Sequence, residues 1–222
     1  MEQHVLVVFP HPDDETFGCG GTLARFAKSG VPVTYICATL GQMGRNMGNP
    51  FFATRESLAH IREAELEKAC EAIGIQRVIK LGLRDKTIEF EDPEILTDNI
   101  ERILREVRPS LVITHYPGYS VHPDHNALGE VTIRAISRLA IKDRPIVHAH
   151  AFSRDCQDKL GKPDIVNDIS DMSEVKLSAI RAHKSQSQLM IARIANAQAK
   201  KQSAKNSFSH VLERETFWTY HF

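Results

Sequence analysis

His4-Val5-Leu6-Val7-Val8-Phe9, followed at once by Pro10-His11-Pro12-Asp13-Asp14-Glu15, is the stretch on which the fold turns. Val5 to Phe9 is a short, unbroken apolar run. Such a run lacks the alternation of a half-exposed strand and reads as a strand buried on both faces, the condition of a parallel sheet. Helical spacing then runs from Thr16 to Ser29 and stops at Gly30, a residue suited to a helix C-cap. Strand, acidic turn and helix thus follow one another within thirty residues.

The same alternation continues outward. Val31 to Leu40 reads as a second strand and Ser57 to Gly74 as a strong helix, with Leu58, Ile61, Leu66, Ala69 and Ile73 on one stripe. Arg77 to Leu81 is a third strand, and Pro93 opens a helix at its preferred first position, running to Val107. Ser110 to His115 is a fourth strand, Asn126 to Ile141 a helix and Ile146 to Phe152 a fifth strand. Ser173 to Gln188 reads as a late helix and Glu215 to Phe222 as a closing strand. No repeat, linker or low-complexity block interrupts residues 1–222. The pattern predicts an α/β fold: a single three-layer domain with a mainly parallel, Rossmann-like sheet and helices on both faces.

Composition excludes several classes. The 222 residues are 42% hydrophobic and 25% charged, ordinary for a globular domain with a sizeable core. Twenty-eight basic residues balance 28 acidic ones, which argues against a nucleic-acid binder held by bulk charge. No apolar run is long enough to span a bilayer, and no signal-like leader precedes Val5, so the expected compartment is the cytoplasm. Cys19, Cys37, Cys70 and Cys156 lie far apart and read as free thiols, not as a sulfur-rich metal site.

In parallel sheets the functional groups gather in the loops beyond the carboxyl ends of the strands. Three of those loops, after Phe9, after Leu40 and after His115, are unusual, and two of them carry the chemistry. One is Pro10-His11-Pro12-Asp13-Asp14-Glu15; the other runs from His115 through Tyr119-Ser120-Val121-His122-Pro123-Asp124-His125. Each holds His-Pro-Asp between a strand and a helix. Helix capping explains one acid per turn, because a carboxylate there satisfies free amides and meets the positive end of the dipole. It does not explain His11 with two further acids, nor His122 and His125 around Asp124. Imidazole and carboxylate without thiolate suit zinc or another divalent transition metal. Such a site lowers the pKa of bound water to about 7, and a nearby carboxylate that is not a ligand accepts its proton. Spacing alone leaves the division of roles open.

These motifs resemble those of the LmbE/PIG-L family of zinc-dependent N-acetylglucosamine deacetylases. The likeness covers nearly the whole chain, and both the His-Pro-Asp-Asp-Glu and the His-Pro-Asp-His signatures are complete. The resemblance implies His11, Asp14 and His125 as metal ligands and zinc as the metal, with other divalent transition metals as alternatives. It implies Asp13 as the general base that later protonates the leaving amine, His122 as the electrophile beside the oxyanion, and Asp124 as the group that orients or charges His122. It further implies Arg62 as a substrate arginine and Asp85 as a sugar-binding aspartate. Lys176 and Ala182-His183-Lys184-Ser185-Gln186 resemble the family's late Lys…Ala-His-x-Ser-Gln segment. One departure is Ser120, where relatives handling mycothiol precursors carry a tyrosine. The loops at Ala38 to Gly48 and Leu81 to Thr87 most resemble the branch that deacetylates N-acetylglucosaminyl-malate in bacillithiol biosynthesis. A malate carries two carboxylates, for which Arg45, Arg62 and Arg84 are the available cations. Members of the family often assemble as trimers or hexamers, so the resemblance extends to a homo-oligomer.

Alternative readings are a deacetylase of another N-acetyl sugar such as a chitooligosaccharide, a metal-dependent phosphoesterase, and a non-catalytic metal- or nucleotide-binding module. A phosphoesterase normally wants two metals and more bridging carboxylates. Gly18, Gly20 and Gly21 do not make a dinucleotide motif, since Leu23 stands where the third glycine belongs. Glu15 reads either as a helix-start acid or as a support for a ligand histidine. Cys19 reads as a packing residue, His115 as support for the site, and His183 as a helix-end residue. His4, His60, His148, His150, His210 and His221 read as structural. Ser185 to Ser207 reads as a solvated helical segment, with a mobile lid as the alternative.

Overall fold

Val5–Phe9 forms strand β1 with all five side chains buried, as an apolar run without alternation requires. The structure is a computed structural model and describes residues 2–199 and 207–222. After β1 come α1 (Asp14–Lys28), β2 (Val33–Thr39), α2 (Leu58–Ile73), β3 (Arg77–Leu83), α3 (Pro93–Val107), β4 (Leu111–His115) and α4 (Pro123–Ser137). The remainder is β5 (Ile146–His150), α5 (Cys156–Leu160), β6 (Ile165–Asp168), α6 (Ser173–Ala182), α7 (Lys184–Ala199), α8 (Ser207–Glu213) and β7 (Arg214–Thr219).

The strands form one sheet in the order β3-β2-β1-β4-β5-β7-β6. The first five are parallel, and β7 runs antiparallel between β5 and β6. Val5, Val7 and Phe9 face a core shared with α1, α2 and α6, while Leu6 and Val8 face one shared with α3 and α4. This is the predicted three-layer architecture. Strand order reverses between β1 and β4, which pair with Val8 opposite Thr114. Loops leaving adjacent strands in opposite senses open a crevice there. Both His-Pro-Asp turns start from that point.

Several boundaries differ from the sequence expectation. Helices α1 and α4 begin two and three residues earlier than predicted, at Asp14 and Pro123. Asp14 and His125 therefore lie on rigid first turns instead of in flexible loops. The late helix breaks at His183, beside Ser185, whose N–H and hydroxyl both donate to Glu65 of α2 at 2.6 and 2.7 Å. Ser185 and Ser187 are buried, so the start of the stretch expected to be solvated is not; residues 200–206 of that stretch, and the lid alternative there, lie outside the described residues. The short α5, β6 and α8 were not anticipated. Four residues at a sheet edge, such as Ile165–Asp168, carry too little pattern to read.

One buried ion pair ties the end of the chain to α1. Glu215 of β7 accepts the Gly21 and Thr22 amides of α1 at 2.9 and 2.8 Å, and Lys176 Nζ lies 2.6 Å from Glu215 while donating to Phe17 O at 3.0 Å. Gly21 also lets Ile169 pack closely on α1, because a Cβ there would meet its side chain at 2.5 Å. Among the described residues no helix is long and apolar enough to cross a membrane.

Candidate metal centre

Three ligand atoms converge where the two turns meet. His11 Nδ1 lies 3.2 Å from His125 Nε2 and 3.4 Å from Asp14 Oδ2, and His125 Nε2 lies 3.3 Å from Asp14 Oδ1. Zinc held tetrahedrally at about 2.0–2.1 Å places neighbouring ligand atoms about 3.3–3.4 Å apart. The shortest separations among the three residues, which involve both Asp14 oxygens, are thus near the edge length of such a site, and the residues present fit the metal.

The far side of His11 explains why its Nδ1 is the available atom. Its Nε2 lies 3.1 Å from both Asp124 Oδ2 and Asp85 Oδ1. A proton held there between two carboxylates leaves the Nδ1 lone pair facing the triangle. Asp124 is fully buried, and its oxygens also accept the backbone amides of Lys86 at 2.7 Å and Ile88 at 3.2 Å. Asp85 accepts the Met43 amide at 2.8 Å. Burial works against charge on His11, but Asp124, Asp14 and Asp85 raise its pKa well above the ordinary value, so a metal binding at Nδ1 would displace a proton from that atom. The Asp124 carboxylate bonds to His11 while its amide donates to His122, and Asp85, which lines the pocket, is engaged by His11 and Met43.

Asp13 precedes the ligand Asp14 but stands apart from the triangle. Its backbone has φ 106°, a region seldom adopted by residues with a side chain and one that costs roughly 1–3 kcal/mol. Surrounding bonds hold it there. The Asp13 N–H donates to Glu15 Oε2 at 3.0 Å, and its carboxylate lies 3.1 Å from Arg62 Nη2. Arg62 also donates to Pro12 O, and at 3.0 Å to Gly41 O. Burial pushes the Asp13 carboxyl up to about 6, with Arg62 pulling in the opposite direction. That lies near neutrality, where a group exchanges protons most usefully. Asp14 is opposite in character. Burial disfavours its charge, yet His125, His11 and His115 hold its pKa well below the usual carboxylate range. The environment thus sets the two adjacent carboxyls apart, Asp13 raised and Asp14 lowered.

The other histidines fall into distinct roles. His122 caps α4, and its Nδ1 accepts the Asp124 amide at 3.2 Å, so the neutral ring carries its proton on Nε2. Burial, then the nearby His11 and His125, lower the His122 pKa. His122 is thus disposed toward a neutral N–H donor, with Asp124 and Asp85 pulling its pKa the other way. His115 stacks on His125 with centroids 4.0 Å apart and planes inclined by 20°. Burial lowers His115 to about 4 and His150 to about 3, so both are neutral packing beneath the ligands. His183 is fully buried and lies 2.9 Å from Glu15 Oε1. Glu15 consequently supports the Asp13 amide and His183, not a ligand histidine. Cys19 is buried in packing, and burial pushes its thiol up.

Above the triangle lies a cavity of about 300 Å³ lined by all three metal-ligand residues, Asp13, His122, Arg45, Lys86 and Gln186, among others. Arg62 reaches its wall but is only 3% exposed, with its guanidinium engaged by Pro12, Gly41 and Asp13. Arg84 does not line it. Sequence reasoning did not place Lys86 at the cavity or join Glu15 to His183, although the late segment holding His183 and Gln186 carried a signal.

Residues 6–136 match the family described as PIG-L, GlcNAc-PI de-N-acetylase, and the chain belongs to it. The chain is 50% identical over 220 residues to the probable N-acetyl-alpha-D-glucosaminyl L-malate deacetylase 2 of Bacillus cereus, a likeness covering 99% of each chain. Among solved structures, N,N'-diacetylchitobiose deacetylase from Pyrococcus horikoshii superposes with a TM-score of 0.74 at 26% identity, covering 99% of this chain and 84% of that one. The 4-carboxy-2-hydroxymuconate hydratase GalB from Pseudomonas putida superposes with a TM-score of 0.75 at 20% identity, covering 99% and 97%, and so shares the fold.

Proposed function

We propose that this chain is a metal-dependent N-deacetylase that hydrolyses the acetamide of N-acetylglucosaminyl-malate in the cytoplasm. The observation that carries the chemistry is the triangle of His11, Asp14 and His125 beside an Asp13 carboxyl raised to about 6. The substrate assignment rests on the full-length likeness to the Bacillus cereus protein.

His11, Asp14 and His125 would hold the metal, zinc in our reading. When bound, such a cation polarises a carbonyl and makes water more acidic. Asp13 accepts a proton from water as its oxygen adds to the carbonyl carbon, then returns it to the departing nitrogen as the amide C–N bond breaks, leaving acetate and the free amine. The His122 Nε2–H points its dipole at the oxygen on which negative charge develops. Asp124 and Asp85 hold His11 in its ligating tautomer, and Arg62 keeps Asp13 aimed. Thiolate ligands and a second bridging carboxylate pair, which other metallohydrolase schemes use, are not required.

The test is release of acetate and free amine from N-acetylglucosaminyl-malate by protein stripped with a chelator and then reloaded with zinc. Activity absent after stripping and restored by reloading is expected. Equal activity in stripped and reloaded protein overturns the metal-dependent reading. Robust turnover of N,N'-diacetylchitobiose with none of the malate conjugate overturns the substrate.

A further inference from the structure

The cavity over the metal ligands does not end at their rim. A second cavity of about 490 Å³ adjoins it, and Arg45, Lys86 and His122 line both. The junction therefore has the proposed oxyanion donor and two cations around it. The outer cavity adds the exposed apolar side chains of Val121 and Phe152 and a single acid, Glu89. Among the described residues neither Arg45 nor Lys86 forms an ion pair, although the surface around α3 and α4 pairs Arg105, Arg134 and Arg138 with acids. Arg62, the arginine expected to meet the substrate, is engaged by two backbone carbonyls and Asp13.

Lys86 is held in place by its backbone. Its amide donates to Asp124 at 2.7 Å and its φ is 66°, while the flanking Asp85 and Ile88 are buried. The same buried carboxylate that fixes His11 thus also fixes the turn from which the Lys86 ammonium projects. Arg45 approaches from the loop after β2 across the crevice. A substrate whose acetamide carbon lies at the metal ligands can extend past these two cations into the outer cavity.

We infer that Arg45 and Lys86 form a carboxylate-binding subsite at the mouth of the metal pocket, and that they, not Arg62, select an anionic aglycone. The inference rests on the deacetylase reading above and assigns its substrate specificity to two residues. Lysine supplies a point charge and arginine a planar fork, so the pair suits two carboxylates on a short acid better than one phosphate held by a single fork.

The experiment compares kcat/KM for N-acetylglucosaminyl-malate, its dimethyl ester and the methyl glycoside of N-acetylglucosamine. Wild-type enzyme and the Lys86→Met, Lys86→Arg and Arg45→Met variants are used, all zinc-loaded. Substituting Lys86 retains the backbone amide that Asp124 needs. The ratio of kcat/KM for the malate conjugate to that for the glycoside is expected to fall about tenfold or more in each Met variant, the scale of one charge-assisted contact. Lys86→Arg should recover most of the ratio, and the loss should shrink as ionic strength rises. A wild-type ratio preserved in both Met variants overturns this inference and leaves the substrate reading standing. A wild-type ratio near one across all three substrates overturns the anionic substrate, and the subsite with it.

Discussion

Asp124→Asn separates two accounts of one buried carboxylate. Sequence resemblance makes Asp124 the partner of His122, whereas the structure joins it to His11 Nε2 at 3.1 Å and to the Lys86 and Ile88 amides. Asparagine has the same shape but only one acceptor oxygen. If that oxygen takes the Oδ2 position it serves His11 and Lys86, and the amide nitrogen then faces the Ile88 N–H, donor against donor. An unpaired buried donor costs about 1–3 kcal/mol, which the metal-free protein should show in chemical unfolding. His11 keeps Asp85 but loses half of its anionic support. Loss of a carboxylate behind a ligand histidine typically weakens metal binding about 10–100-fold, or about 1.4–2.7 kcal/mol. Zinc affinity measured by chelator competition reads this directly, and the holoprotein should lose that stabilisation in addition to the metal-free deficit. Zinc affinity within about twofold of wild type, accompanied by a large fall in kcat, would refute the argument and return Asp124 to His122.

Two further outcomes follow from the same geometry. Asp13→Asn should retain zinc while kcat falls roughly 10²-fold or more, because asparagine preserves the Arg62 contact but accepts no proton; zinc lost by this variant and kept by Asp14→Asn would exchange the two aspartates. Lys176→Met leaves Glu215 charged and buried against two α1 amides, so unfolding should become easier by about 3–5 kcal/mol with zinc affinity little changed; a destabilisation below about 1 kcal/mol would show that the pair contributes little beyond an exposed ion pair.

Much of the fold was legible because its signals are local. An apolar run of strand length, Pro93 at a helix start and Gly74 at a helix end act over a few residues, and β1, α3 and α2 appear where those signals put them. The short β6 and α5 were not, since elements of four or five residues owe their existence to the neighbour they dock on. The break at His183 was hidden for the same reason: the Glu65 that holds Ser185 is 120 residues away.

For the candidate site, the sequence by itself determined which chemistry was on offer. Two His-Pro-Asp turns supply imidazole and carboxylate, and the alternating pattern sends both to the carboxyl ends of parallel strands. Only the tertiary structure decided what surrounds each group. Asp13 and Asp14 are adjacent and identical in type, yet one is raised to about 6 by burial and the other is held low by three histidines. Asp124 sits two residues from His122 and bonds instead to His11, 113 residues away, because α4 begins at Pro123 and turns that carboxylate inward. Arg62 is closed in by backbone carbonyls, while Lys86, which the sequence did not single out, lies at the cavity mouth. Protonation and partner choice depend on distance and burial in three dimensions, and these arise only when the loops after β1, β2, β3 and β4 close over the same end of the sheet.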